Sequence, residues 1–199
     1  MYKTISQQAE GIYKEKGSKF LAFAYPVKTL DEFKKLKYTI EKQYYDASHR
    51  CFAYRIGVEN ETIRFNDDGE PSNTAGKPIL GQIYSYNLTN IMIYVVRYFG
   101  GTKLGVSGLI HAYKSAAGDA LNKAEIIAKY LENVYVLKFQ YDEMGIIMKH
   151  LKELKIDHFD QNFKESCSLK VKIRKCESEK IVKKLNILKN IELHYLLTQ

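Results

Sequence analysis

Hydrophobic and polar positions alternate most legibly in the last third of the chain. "ENVYVLKFQY" (residues 132–141) alternates as a strand does, and "DEMGIIMKHLKELK" then sets Met144, Ile147, Met148, Leu151 and Leu154 on one helical stripe. "IDHFDQNF" and "CSLKVKIRK" predict a hairpin in which Cys167, Leu169, Val171 and Ile173 face one way and Lys170, Lys172 and Arg174 the other. A helix over "ESEKIVKKLNILKN" buries Ile181, Leu185 and Leu188, and "IELHYLLT" closes as a strand. The order is β-α-β-β-α-β, a ferredoxin-like split unit.

Upstream the pattern differs, so no internal repeat is expected. Strands are predicted near "YKTISQQ", "GIYKEKG" and "SKFLAFAYPV". A helix opened by Thr29 or Asp31 follows, carrying Phe33, Leu36 and Ile40. Next come a strand at "CFAYRIGV", an acidic turn, a short helix in "AGKPILGQIYSY" and the apolar strand "NIMIYVVRYF". After "GGTKLGVSG" a helix runs through "LIHAYKSAAGDALNKAEI", with Ser107 as its expected cap. The fold class is α+β with mostly antiparallel strands. No linker rich in proline, glycine or serine separates the halves, and the boundary falls near residues 127 to 131, giving domains 1–128 and 129–199.

Composition changes little. The chain has 199 residues and 45% hydrophobic content, enough for a sizeable core. Its three cysteines, Cys51, Cys167 and Cys176, form no C-x-x-C pair, which removes a disulfide framework and a zinc ribbon. The start has no apolar signal region, and "IMIYVV" is too short to span a bilayer, so a cytoplasmic protein without membrane contact is expected. The net charge of +8 favours an anionic partner such as RNA, but it is spread as +5 over residues 1–129 and +3 over 130–199.

Two segments could carry chemistry. In "RFNDDGEPSNTAGKPIL", Asp67, Asp68 and Glu70 surround a glycine. Asp67 and Asp68 could hold Mg²⁺ through oxygen ligands, although the spacing is not that of an EF-hand; a solvated turn is the plain alternative. In "RYFGGTKLGVSGL", Arg97, Gly100, Gly101, Lys103 and Gly105 are the parts of an anion cradle at a helix start, without the Gly-Lys-Ser/Thr of a Walker A loop. A tight strand-to-helix turn would need the same glycines. Cys51, two residues from His49, is expected to be a small core residue rather than a nucleophile, and His111 on the following helix faces either the loop or solvent.

Together, "DDGEPSNTAGKPIL" and "VVRYFGGTKLGVSGLIHAY", preceded by the His-x-Cys-aromatic-Ala-Tyr segment at residues 49–54, resemble the signature of the YigZ/IMPACT family. The resemblance covers most of residues 1 to about 128, and the C-terminal segment looks like the second domain of bacterial members. It implies an N-terminal α/β sandwich similar to the second domain of a small-subunit ribosomal protein. It also implies a C-terminal ferredoxin-like domain similar to the last domain of elongation factor G. Eukaryotic relatives resemble regulators of translation that carry a further interaction domain without counterpart here. Asn73 stands where the family usually has glycine, Lys77 replaces an arginine, and His111 stands where arginine is common. Asn tolerates a left-handed backbone; imidazole is a weaker anion ligand at neutral pH.

The expected function is a non-enzymatic, translation-associated regulator. It would bind RNA or ribosomal components through a mixed-charge surface of Asp67, Asp68, Glu70, Lys77, Arg97, Gly100, Gly101, Lys103, Gly105 and His111. Lys170, Lys172 and Arg174 offer a second nucleic-acid face. The alternatives are a Mg²⁺-dependent enzyme acting on a phosphorylated small molecule or nucleotide, and a protein-binding regulator. No cofactor is established by these motifs, and Mg²⁺ is the one they would suit.

Overall fold

The computed structural model describes residues 1–163, 167–188 and 191–198. The chain divides into two compact units, Tyr2–Lys129 and Tyr130–Gln199.

In the first unit β2 (Ala9–Glu15), β3 (Ser18–Pro26), β4 (His49–Ile56), β5 (Thr62–Asn66) and β6 (Ile91–Tyr98) form one sheet, ordered β2-β3-β6-β4-β5 with every neighbour antiparallel. The apolar run of β6 follows from its central place. Ile91, Ile93 and Val95 pack toward α2 (Gly76–Ser85) and α3 (Gly105–Lys123), while Met92, Tyr94 and Val96 pack toward α1 (Leu30–Gln43). A strand covered on both faces has no polar side to show. α1 starts where Thr29 caps it, the hydroxyl accepting from Glu32 N at 3.2 Å, and buries Phe33 and Ile40.

On the opposite face small residues allow close approach. A Cβ at Gly11 of β2 would lie 2.3 Å from Ala120 N of α3, so the strand and helix backbones meet directly. The turn from β2 to β3 is Lys16–Gly17, both at positive φ, as in a two-residue type I′ hairpin.

Several expectations need correction. α3 begins at Gly105 rather than near Leu109, and Ser107 lies inside its first turn; Leu104 stands at the cap position and no side chain bonds there. The helix also ends at Lys123. Ala124 is extended, and Ile126–Lys129 form β7, which pairs with β1 (Tyr2–Ile5) in a separate two-stranded sheet. Long-range pairing with the chain's first residues thus takes the end of the predicted helix, at Glu125 and Ile126. β5 was not foreseen either, because all five of its residues are exposed and carry no core pattern.

The second unit has β8 (Glu132–Phe139), α4 (Met144–Glu153), β9 (Asp157–Phe163), β10 (Cys167–Arg174), α5 (Lys175–Leu185) and β11 (Ile191–Thr198). The sheet order β11-β8-β10-β9, antiparallel throughout, is that of a split β-α-β unit. Cys167, Leu169, Val171 and Ile173 are buried with Leu137, Phe139, Ile147 and Leu151, as the alternation of β10 predicts. α5 stops at Leu185, earlier than expected; the end of that predicted helix at 189–190 and the hairpin turn at 164–166 lie outside the described residues. Among the described residues no helix is long and apolar enough to cross a membrane.

Candidate functional site

The acidic turn is built from three carboxylates with three different partners. Asp67 Oδ1 accepts from Ala75 N (3.0 Å) and Gly76 N (2.8 Å), and Oδ2 from Asn73 N (2.9 Å). α2 has no side-chain cap of its own at Ala75, so this carboxylate, nine residues upstream, satisfies the amides at its N-terminus. The chain returns on itself through Asp68, Gly69 and Asn73, all at positive φ. Asn73 takes the left-handed conformation at φ 65°, so the turn survives without glycine there.

Asp68 binds the start of β4. Its Oδ2 accepts from Arg50 N at 2.7 Å, and its carbonyl lies 2.8 Å from His49 Nδ1. A carbonyl only accepts, so Nδ1 carries the proton and Nε2 is left toward Glu70. Glu70 itself is buried. Its Oε1 accepts from Arg97 Nη1 at 2.5 Å and Tyr113 O–H at 2.8 Å, with His49 Nε2 at 3.8 Å.

Beneath this pair Cys51 Sγ is 3.0 Å from the Asp67 carbonyl and 3.4 Å from the Tyr113 hydroxyl. Burial pushes the Cys51 thiol well up, a shift that the Tyr113 hydrogen bond opposes and the charges of Glu70, Asp68 and Asp67 reinforce. Burial raises the Tyr113 hydroxyl as well, followed by its interactions with Cys51 and Glu70. Both groups are neutral at physiological pH, and Cys51 is core rather than nucleophile. At pH 7 iodoacetamide is expected to alkylate the exposed Cys176 while buried Cys51 and Cys167 stay unmodified until the protein is unfolded. Peptide mass spectrometry reads this directly; comparable labelling of Cys51 in the native protein would contradict the arrangement.

Arg97, at 5% exposure, has its guanidinium 5.4 Å from the Phe20 ring and 5.5 Å from the Phe99 ring. Its backbone and that of Phe99 tie the strand end to Ser48, just before β4. Ser48 N donates to Arg97 O (2.9 Å), and Ser48 Oγ accepts from Phe99 N (3.2 Å). Gly100 N then donates to Ser18 Oγ at 3.1 Å.

The structure therefore brings Asp67, Asp68, Glu70 and Arg97 together, with Gly100 adjoining. Lys77, Gly101, Lys103, Gly105 and His111 are exposed, and among the described residues no hydrogen bond or ion pair ties them to Glu70. His111 instead packs edge-on against Tyr13, ring centres 5.6 Å apart, with its Nε2 3.4 Å from Ser115 Oγ. Gly101 and Gly105 have positive φ, with open space where a Cβ would stand.

No three His, Cys, Asp or Glu side chains among the described residues converge as metal ligands would. In the second unit Lys170 pairs with Asp160 at 2.5 Å, Lys172 lies 4.8 Å from the Phe159 ring centre, and Arg174 4.5 Å from that of Tyr130. Tyr113 is the member of the cluster that sequence reasoning missed. Its signal was a tyrosine on the alanine-rich buried stripe of a helix, where a hydroxyl needs a partner.

A two-unit α+β protein whose first unit is organised around a pinned acidic turn and a glycine-lined strand end is what these elements define. The Impact N-terminal domain family matches residues 16–121, which include the whole Glu70 cluster, and the chain belongs to the IMPACT family. The chain is 34% identical to IMPACT family member YvyE of Bacillus subtilis over 81% of its length and 76% of the relative's. It is 43% identical to an IMPACT family member of Thermus thermophilus over 54% of the chain and 56% of the relative. A crystal structure of a hypothetical protein shares the fold, with TM-score 0.74 and 24% identity, over 98% of this chain and 97% of that one.

Proposed function

We propose that the protein is a non-enzymatic, translation-associated regulator that binds RNA or a ribosomal component. The observation that carries this reading is that each carboxylate of the acidic turn is engaged by groups of the same chain, Asp68 by Arg50 N. Asp67 is spent on the α2 amides, Glu70 on Arg97 and Tyr113, and the Cys51 thiol is buried and neutral. A reaction centre needs groups free to change charge at a substrate; these are held by partners of the same chain. The exposed cations nearby are Lys103, in a loop whose Gly101 and Gly105 have open space where a Cβ would stand, and Lys77 on α2. The likeness of the two units to a ribosomal-protein domain and to the last domain of elongation factor G is part of the same proposal. Mg²⁺ at Asp67 and Asp68 gains no support from carboxylates already engaged with backbone donors.

The test is binding to ribosomal subunits and a structured RNA across a salt series, wild type against Lys103→Ala and against the double change Lys170→Ala/Lys172→Ala. Affinity is expected to fall log-linearly with salt, and the variant that removes a phosphate contact to lower the slope by about one per contact. Absence of binding at low salt, or binding insensitive to salt, overturns the reading.

A further inference from the structure

The two larger sheets have four edge strands, and three of them are blunted. β2 is covered by α3, with Ile12 N held at 2.8 Å by the Asp119 carboxylate. β9 and β11 are each interrupted by a register shift against their neighbours. Both devices hinder the addition of a further strand. β5 has neither. It runs in unbroken register with β4 from Phe52↔Asn66 to Ile56↔Thr62, and all its residues are exposed.

Alternate backbone N–H and C=O groups of such an edge point away from the sheet and are free to pair. The side chains alternate too. Ile63 and Phe65, 41% and 39% exposed, share the face of Ala53 and α2, while Arg64 points to the other face and has no ion-pair partner among the described residues. A second copy is a poor occupant. In the antiparallel register that uses all five residues, Arg64 would stand opposite Arg64 of that copy, and like charges directly opposite are destabilising. The same geometry favours a carboxylate there.

We propose that the free edge of β5 takes an extended peptide segment of another protein as a sixth strand. The segment alternates apolar and acidic residues, with a carboxylate opposite Arg64 and apolar side chains opposite Phe65 and Ile63. Main-chain pairing supplies affinity, and the alternating side chains supply choice. This surface does not depend on the RNA reading, since it uses neither the glycine loop nor the lysines of β10.

The experiment uses the full chain and two fluorescent ten-residue peptides rich in threonine, one centred on valine-glutamate-valine and the other on valine-lysine-valine. Fluorescence anisotropy is expected to show about tenfold tighter binding of the glutamate peptide, and Arg64→Glu to reverse the preference. Amide resonances of Thr62–Asn66 should shift on binding, while the far-ultraviolet circular dichroism of Arg64→Glu stays that of the wild type. Equal binding of both peptides, binding of neither, or an unchanged preference in Arg64→Glu overturns the proposal. So does a concentration-dependent dimer abolished by Phe65→Lys, which would make a second copy the occupant.

Discussion

Arg97→Ala is expected to lower the stability of the first unit by about 3–5 kcal/mol, the range found when one partner of a buried ion pair is removed. Arg97 and Glu70 are 5% and 8% exposed, so the carboxylate left behind cannot recover its lost partner from solvent. Tyr113 still donates to Glu70, but a neutral hydroxyl offsets only part of a buried charge, and His49 stands 3.8 Å away. Against a typical stability of about 5–15 kcal/mol, such a loss removes about a fifth of the total or more. The double variant Glu70→Gln/Arg97→Met removes both charges while keeping an amide for Tyr113 to bond. It is expected to recover most of the loss, because an apolar replacement of a whole buried pair is often neutral. Urea denaturation of the two variants decides the point. A loss below about 1 kcal/mol for Arg97→Ala would mean that water reaches Glu70.

Gly100→Ala should be nearly as damaging, for a reason that involves no charge. Its Cβ would lie 1.9 Å from the carbonyl carbon of Gly17 and 2.1 Å from Ser18 N, atoms of the β2–β3 turn that no rotamer can move aside. The chains must separate, and with them the Gly100 N to Ser18 Oγ hydrogen bond. A cost of about 3 kcal/mol is expected, at the upper end for an overpacked site. Gly101→Ala is the control. At φ 86° with open space around it, that position should cost about 1–2 kcal/mol through backbone strain alone. Equal losses in thermal unfolding would show that the hairpin turn shifts to make room.

Elements whose side chains answer to a local pattern could be read from the sequence. β10 shows this best, because each of its residues faces either the helices or the open side. β6 was legible as a strand for the opposite reason, since its unbroken apolar run suits burial on both faces. What the pattern could not give was partnership over distance. The helical pattern runs on to Ile126, where pairing with the first strand takes over. β5 has no core obligation and leaves no hydrophobic trace. At the site, the acidic trio was visible, but its division of labour was not. Glu70 meets Arg97 and Tyr113, 27 and 43 positions away, and Asp67 meets backbone amides that any residues would present. The resemblance to the IMPACT family gathered these segments into one unit before their contacts could be derived.

The sheet order also bears on how the chain is made. Within the sheet β3 and β4 are not paired with each other but both pair with β6, which is synthesised after both of them. While the ribosome extends the chain from Asn66 to Tyr98, a matter of a few seconds at about 5–20 residues per second, the β2–β3 and β4–β5 hairpins each expose a long inner edge. The nascent chain is then open to non-native pairing on the very edges that later become the centre of the sheet. Arrival of one apolar strand closes both edges and α3 then covers its open face, so the first unit should gain its protease resistance late, once β6 and α3 have emerged, rather than hairpin by hairpin.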